Sequence, residues 1–421
     1  MSEKPNVLMI TPYLPYPPSS GGRSRTYNLL KRLVRDFQFT IVCFARPEEK
    51  PSDLTPLTEL ADLIMVNRAS SPGTLQAAML SLTSLKPITM RLYHSTEFRD
   101  ALRQVMRKRL FDVVHVESFY MMPNLPEPLN LPVLLSEPAI EFVAWQRHAR
   151  VAHPIYQRPA IALEALKMRY FEPQTWRRAT MIGTMSEIDS TVVKRFNPHL
   201  PIRVTPNGVD VDYFKPSTLP RDSDTAIFMG DYKYFPNTDA VSFFVKEIMP
   251  LVRAQRPNFK LILLGKEPPA EIVALAAQPN SGIQIEGFVE DTRPYLHQAS
   301  LFVCPLRSGS GTRFKLLEAL ACGLPVVSTR IGAEGLDAVA DRHMVFADSP
   351  EAFAASMLHL LRQPEEAQRI GRYGRTWVTD RHSWARSAGL LGDAYQTLIG
   401  SEDMTIPSPM SRRARRRGSL T

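Results

Sequence analysis

The chain has 421 residues, 44% of them hydrophobic and 22% charged, with a formal net charge of +9. That length exceeds one ordinary hydrophobic core and implies two or three domains, in a composition normal for a soluble globular protein. No stretch approaches the roughly 18 uninterrupted apolar residues that a membrane-spanning helix needs. The segment Met1 to Pro5 runs almost directly into Val7 to Ile10, without the zones of a signal peptide. Cys43, Cys304 and Cys322 are few, odd in number and set within apolar runs. They argue against a disulfide framework or zinc site and for a reducing cytoplasm.

Asn6 to Thr11 reads as a strand running into a Pro-rich loop, Pro12 to Ser20, and then Gly21-Gly22. Tyr27, Leu30, Leu33 and Val34 follow at helical spacing. Phe39 to Phe44, Asp112 to Val116, Leu131 to Leu135 and Thr180 to Thr184 are further strand-like runs, with helical patterns between several of them. Short apolar runs alternating with helices indicate parallel strands covered on both faces. Ile202 to Thr205 leads to the turn-rich Pro206-Asn207-Gly208 and a polar stretch, Pro216 to Asp224. The pattern then restarts, with strands expected at Thr225 to Met229, Phe259 to Leu264, Ile283 to Ile285, Leu301 to Pro305 and Pro325 to Ser328.

The expected organisation is therefore an α/β chain of two Rossmann-like doubly wound domains, 1–207 and 208–383, with the boundary near 207–216. Trp384 to Ile399 reads as a last helix, and 384–400 is expected to return to the first domain. Residues 401–421 read as a basic, disordered tail in which Ser411 to Arg417 carries five positive charges. Such a tail is either attracted to an anionic surface or simply solvated. It lacks aromatic interleaving and a folded recognition motif, so no nucleic-acid partner is expected.

The most informative stretch is Leu301 to Leu336. A buried strand gives way to a Gly/Ser loop, Arg307 to Thr312, a helix over Arg313 to Cys322 and a new strand from Pro325. Free N–H groups and the dipole at such a helix start favour an anion, and small residues let a phosphate approach. Arg313 and Lys315 place two cations in that first turn, where the dipole disfavours them unless an anion binds between. Phe314, Leu317, Glu318 and Ala321 recur at i, i+3, i+4 and i+7, which puts the Glu318 carboxylate on the expected buried stripe. A charge there needs partners, and sugar hydroxyls are suitable ones.

At these residues the chain resembles the large family 4 of retaining glycosyltransferases, of the two-domain B fold. The resemblance covers nearly the whole chain and is strongest over 180–336. Glu318 to Val327, EALACGLPVV, matches the second half of the family's paired-glutamate signature. Ser310 stands where the first glutamate belongs, and Gly309 to Lys315 fits a Gly-Ser-Gly-Thr-Arg-x-Lys variant of the loop. Met185-Ser186-Glu187, Pro206 to Asp210 and Phe214 resemble the interdomain passage. Phe228-Met229-Gly230 and Pro236-Asn237 resemble the first strand and loop of the donor domain.

The resemblance implies two domains facing a central cleft and transfer of a sugar from a nucleoside diphosphate to an acceptor hydroxyl. UDP or GDP is the expected carrier, and no cofactor is required. Arg313, Lys315 and Glu318 are implied as catalytic, with Glu318 on the ribose. Gly21, Gly22, Gly230, Lys233, Gly287, Phe288, Ser310, Gly311 and Thr312 are implied around the donor. On the acceptor side, Ser136 to Glu141 departs from the usual motif, with Pro138 in place of a histidine and Glu141 retained. His115 and Glu117 are alternative candidates there.

Asp210-Val211-Asp212 has a metal-binding spacing, but it sits in the interdomain turn, and no metal site is assigned to it. The expected acceptor is a glycan or a lipid-linked glycan in polysaccharide biosynthesis. Leu75 to Leu92 and Arg99 to Arg109 are read either as core helices or as a contact with an anionic membrane on its inner face. A nucleotide-sugar epimerase or phosphorylase on the same fold, or a binding subunit without turnover, are the rival functions.

Overall fold

The structure is a computed structural model that describes residues 3–46, 53–68, 83–151, 155–309 and 313–400. It divides into two compact units, one of residues up to Thr205 together with those from Ser387, the other Pro206–Arg386. The first unit holds a seven-stranded sheet of β1 (Asn6–Thr11), β2 (Gln38–Ala45), β3 (Asp62–Asn67), β4 (Val113–Glu117), β5 (Val133–Glu137), β6 (Met181–Thr184) and β7 (Ile202–Val204). Their order is β3-β2-β1-β4-β5-β6-β7, and every pairing is parallel.

The second unit holds a six-stranded sheet of β8 (Thr225–Met229), β9 (Lys260–Leu264), β10 (Ile283–Gly287), β11 (Leu301–Cys304), β12 (Val326–Ser328) and β13 (Val345–Phe346). Its order is β10-β9-β8-β11-β12-β13, again parallel throughout.

The central strands β4, β5, β8, β11 and β12 are buried along their whole length, as expected of parallel strands roofed by helices on both faces. Two edge strands escape sequence pattern for a physical reason. β3 is half-exposed and begins and ends in polar residues, and β13 is only two residues long. Each unit has its own core. Phe98, Phe119 and Trp176 are fully buried in the first, and Phe228, Phe302 and Phe353 in the second. Each such side chain contributes about 1.5–3 kcal/mol by burial. The helix Trp384–Ile399 places Tyr395, fully buried, against Phe37 and Phe39 at 5.2 and 6.3 Å between ring centroids.

In both sheets the direction of strand addition reverses beside the first strand, between β1 and β4 and between β8 and β11. The carboxyl ends of the strands at such a reversal form the crevice in which doubly wound sheets bind ligands. Gly230, Glu117 and the loop from Pro305 to Gly309 lie at those ends, and His115 stands two residues before Glu117 on β4.

Candidate active site

In the second unit the strand ends are brought close by missing side chains. Gly265, just past β9, has φ +142°, and a Cβ there would come within 1.7 Å of the Gly230 carbonyl oxygen. Its N–H donates to the Gly287 carbonyl at 2.7 Å, and the Gly230 N–H donates to Leu264 O at 3.0 Å. The three turns that leave β8, β9 and β10 are thus tied together at one edge.

The loop after β11 reaches Gly309, φ +102°, where a Cβ would meet the Arg313 guanidinium at 2.7 Å and the Tyr234 hydroxyl at 3.2 Å. The helix Phe314–Ala321 begins there, with Arg313 as its N-cap in extended conformation and no acidic residue in its first turn. Arg313 is buried and donates to Ser308 O at 3.5 Å. The half-buried Lys315 donates from Nζ to Asn237 Oδ1 at 2.7 Å and lies 4.4 Å above the Phe228 ring. Burial lowers the Lys315 ammonium to about 8, the neighbouring Arg313 charge pushing the same way. Burial raises the Glu318 carboxyl to about 7 against the opposing pull of Lys315. Ser310, Gly311 and Thr312 lie outside the described residues.

The expected stripe on this helix needs correction. Leu316, Leu317, Ala319, Leu320 and Ala321 are buried, whereas Phe314, Lys315 and Glu318 are half-buried along one flank. The helix packs on β11, β12 and the helix Pro364–Arg381 at once. Its apolar face is accordingly wider than a single stripe and is centred away from Glu318.

Other donor-side candidates fall less tightly together. Lys233 is exposed, and its ammonium is held by Glu267 at 2.7 Å, a surface pair that also raises the Lys233 pKa. Phe288 is 62% exposed, with the Lys266 ammonium 4.2 Å from its ring centre. Asp210 Oδ1 accepts the N–H groups of Asp212 at 3.2 Å and Tyr213 at 3.0 Å, as a turn-forming aspartate does. The contact of Asn237 with Lys315 was not legible in sequence, because it joins positions 78 residues apart.

In the first unit, Gly21 and Gly22 open the helix Gly21–Leu33, and a Cβ on Gly22 would lie 2.8 Å from the Tyr13 hydroxyl. His115 and Glu117, both 1% exposed, meet along β4 with His115 Nε2 3.3 Å from Glu117 Oε1. His115 Nδ1 bonds to the Tyr395 hydroxyl. Burial disfavours the Glu117 carboxylate, yet its hydrogen bond and charge interaction with His115 hold its pKa below the ordinary value. Glu141 starts a different element, the helix Glu141–Val151, and accepts from Trp145 Nε1 at 3.2 Å. Its neighbours there are two carboxylates missed in sequence. Glu172 accepts the N–H groups of Glu141 and Phe142 at 3.0 and 2.9 Å, and Glu137 accepts from Trp176 Nε1 at 2.9 Å. Burial raises the pKa of Glu137, Glu141 and Glu172.

Two doubly wound sheets, one carrying cations at a helix start beside its switch point, define a protein of the glycosyltransferase B fold. Residues 223–363 match the family model of the glycosyl transferases group 1, so the chain carries a domain of that family. It is similar to the D-inositol 3-phosphate glycosyltransferase of Segniliparus rotundus, 30% identical over 226 residues, 47% of this chain and 48% of that protein. The chain spans about half the length of the curated relatives it matches.

Among solved structures it is similar to sucrose-phosphate synthase from Thermosynechococcus elongatus, with TM-score 0.71 and 17% identity over 94% of this chain and 100% of that one. It is also similar to Anabaena HepE in complex with UDP and glucose, with TM-score 0.62 and 11% identity over 93% of this chain and 99% of that one.

Proposed function

We propose that the protein is a retaining glycosyltransferase that moves a sugar from a UDP- or GDP-linked donor to a hydroxyl of a glycan or lipid-linked acceptor, without a metal. The single observation that carries this reading is the pair of cations, the buried Arg313 and the half-buried Lys315, at the start of a helix whose first turn holds no acidic residue. A diphosphate leaving group develops negative charge as the bond from the anomeric carbon to its oxygen breaks. Fixed cations and helix-terminal N–H groups stabilise that charge where it forms. The acceptor oxygen forms the new bond on the same face, and its proton passes to the departing phosphate. Glu318 takes a hydrogen bond from the ribose. The nucleotide in the HepE complex and the inositol phosphate named for the Segniliparus relative support this donor and acceptor chemistry.

The proposal places the reaction in the cytoplasm, at the inner face of the membrane when the acceptor is lipid-linked. No helix among the described residues is long and apolar enough to cross a membrane.

The test is turnover with a panel of nucleotide sugars in excess chelator, for the wild type, Arg313→Ala, Lys315→Ala and the double variant. Each contact is worth about 2–4 kcal/mol in the transition state, so each single change slows transfer by roughly two to three decades. Full inhibition by chelator that Mg²⁺ or Mn²⁺ restores would overturn the metal-free reading. Unaltered rates in the double variant would remove the site.

A further inference from the structure

We propose that Asn237 is a positioning residue for this reaction: its amide oxygen holds the Lys315 ammonium in place at the switch point as the cation that meets the donor's diphosphate. The inference rests on the proposed function for the word diphosphate, but the placement itself rests on contacts. Asn237 is 7% exposed, and its two amide ends are committed in opposite directions. Nδ2 donates to the Asp231 carbonyl at 2.8 Å, an acceptor only, which fixes the amide orientation. Oδ1 is therefore the end that faces Lys315 Nζ, at 2.7 Å.

Gly230 makes room for this arrangement, since a Cβ there would lie 2.7 Å from the Asn237 amide carbon. The Phe228 ring, 4.4 Å from Nζ, supplies a second attraction for a cation from the strand below. The charged and titratable groups that act on Lys315 are Cys304 on β11, Arg313 at the helix start and Glu318 one turn on. Of these, Arg313 repels it, and Cys304 is a neutral thiol whose pKa burial raises. A neutral amide oxygen suits the position. It accepts from the ammonium without cancelling the charge that an incoming phosphate needs, as a carboxylate would.

The site can be read without any ligand. Trace amine acylation across pH 6–10, followed by mass spectrometry of the peptide carrying Lys315, reports the fraction of free amine at that side chain. In the wild type the titration should fall near 8. Asn237→Asp should move it up by about one unit or more, because a carboxylate beside the ammonium favours the charged form. Asn237→Leu should move it down. Gly230→Ala, which displaces the amide while leaving Asn237 in the chain, should move it in the same direction as Asn237→Leu.

If Asn237 only braced the loop through Asp231, these variants would lower the melting temperature and leave the Lys315 titration where it was. That result overturns the inference. Titration of UDP and GDP into the same proteins separates the two readings. Shifts at Lys315 with no binding of either nucleotide would sink the donor assignment alone. Binding with an unmoved Lys315 would sink the role of Asn237 alone.

Discussion

At the scale of single residues, burial disfavours the charged form of both ionisable groups on the half-buried flank of the helix Phe314–Ala321, Lys315 and Glu318. Glu318 has an ordinary carboxyl value of 4.5 in the unfolded chain and about 7 in the fold. The native state therefore binds more protons between those values, and stability falls as pH rises from 4.5 to 7 and stays lower above. Replacing Glu318 with Gln should raise stability at pH 8 by about 1–2 kcal/mol, discounted for the partial exposure of the group, and change little at pH 4. Thermal melts at the two pH values check the sign. Glu318→Ala should abolish transfer while the protein stays folded, the pattern of a charge kept for function at a cost in stability. Near-normal activity in that variant would take Glu318 out of the site.

Secondary elements place these residues through caps that act over a few positions. Ser186 was legible at the start of a helix, in Met185-Ser186-Glu187, and its hydroxyl accepts the Asp189 N–H at 3.1 Å. Ser186→Ala should destabilise the first unit by about 1 kcal/mol, measured as a lowered urea midpoint with an unchanged slope. The helix Phe314–Ala321 has no such side-chain cap at Arg313. The helix Glu141–Val151 shows the contrary solution. A carboxylate from another helix, Glu172, accepts its first N–H groups, a contact across 30 residues that no local pattern announces.

At the scale of the molecule, the chain has a formal net charge of +9, and five arginines stand between Ser411 and Arg417. Removing 401–421 should leave turnover on a soluble acceptor nearly unchanged and weaken binding to anionic vesicles, with the difference fading as salt is raised. Vesicle sedimentation beside a soluble assay checks both halves. Loss of soluble turnover would make the tail part of the catalytic protein.

How far the sequence alone reached follows from the range of the forces involved. Strand–helix alternation, the restart after Gly208 and the helix Trp384–Ile399 are patterns of a few residues, and apolar periodicity encodes them directly. The strand Leu301–Cys304 and the helix Phe314–Ala321 after it were equally plain, because a Gly/Ser-rich break between two apolar runs is also a local pattern. The order of the strands, β3-β2-β1-β4 and β10-β9-β8-β11, was not, since parallel pairing joins strands through crossovers of variable length. The width of the buried face on Phe314–Ala321 depended on three neighbours, so Glu318 moved from the centre of a stripe to its flank. The partners of the cations and of the buried acids came from tertiary structure alone. Asn237 reaches Lys315 and Tyr395 reaches His115 across 78 and 280 residues. A hydrogen bond selects geometry at under 3.5 Å and leaves no periodic trace in the chain that folds to make it.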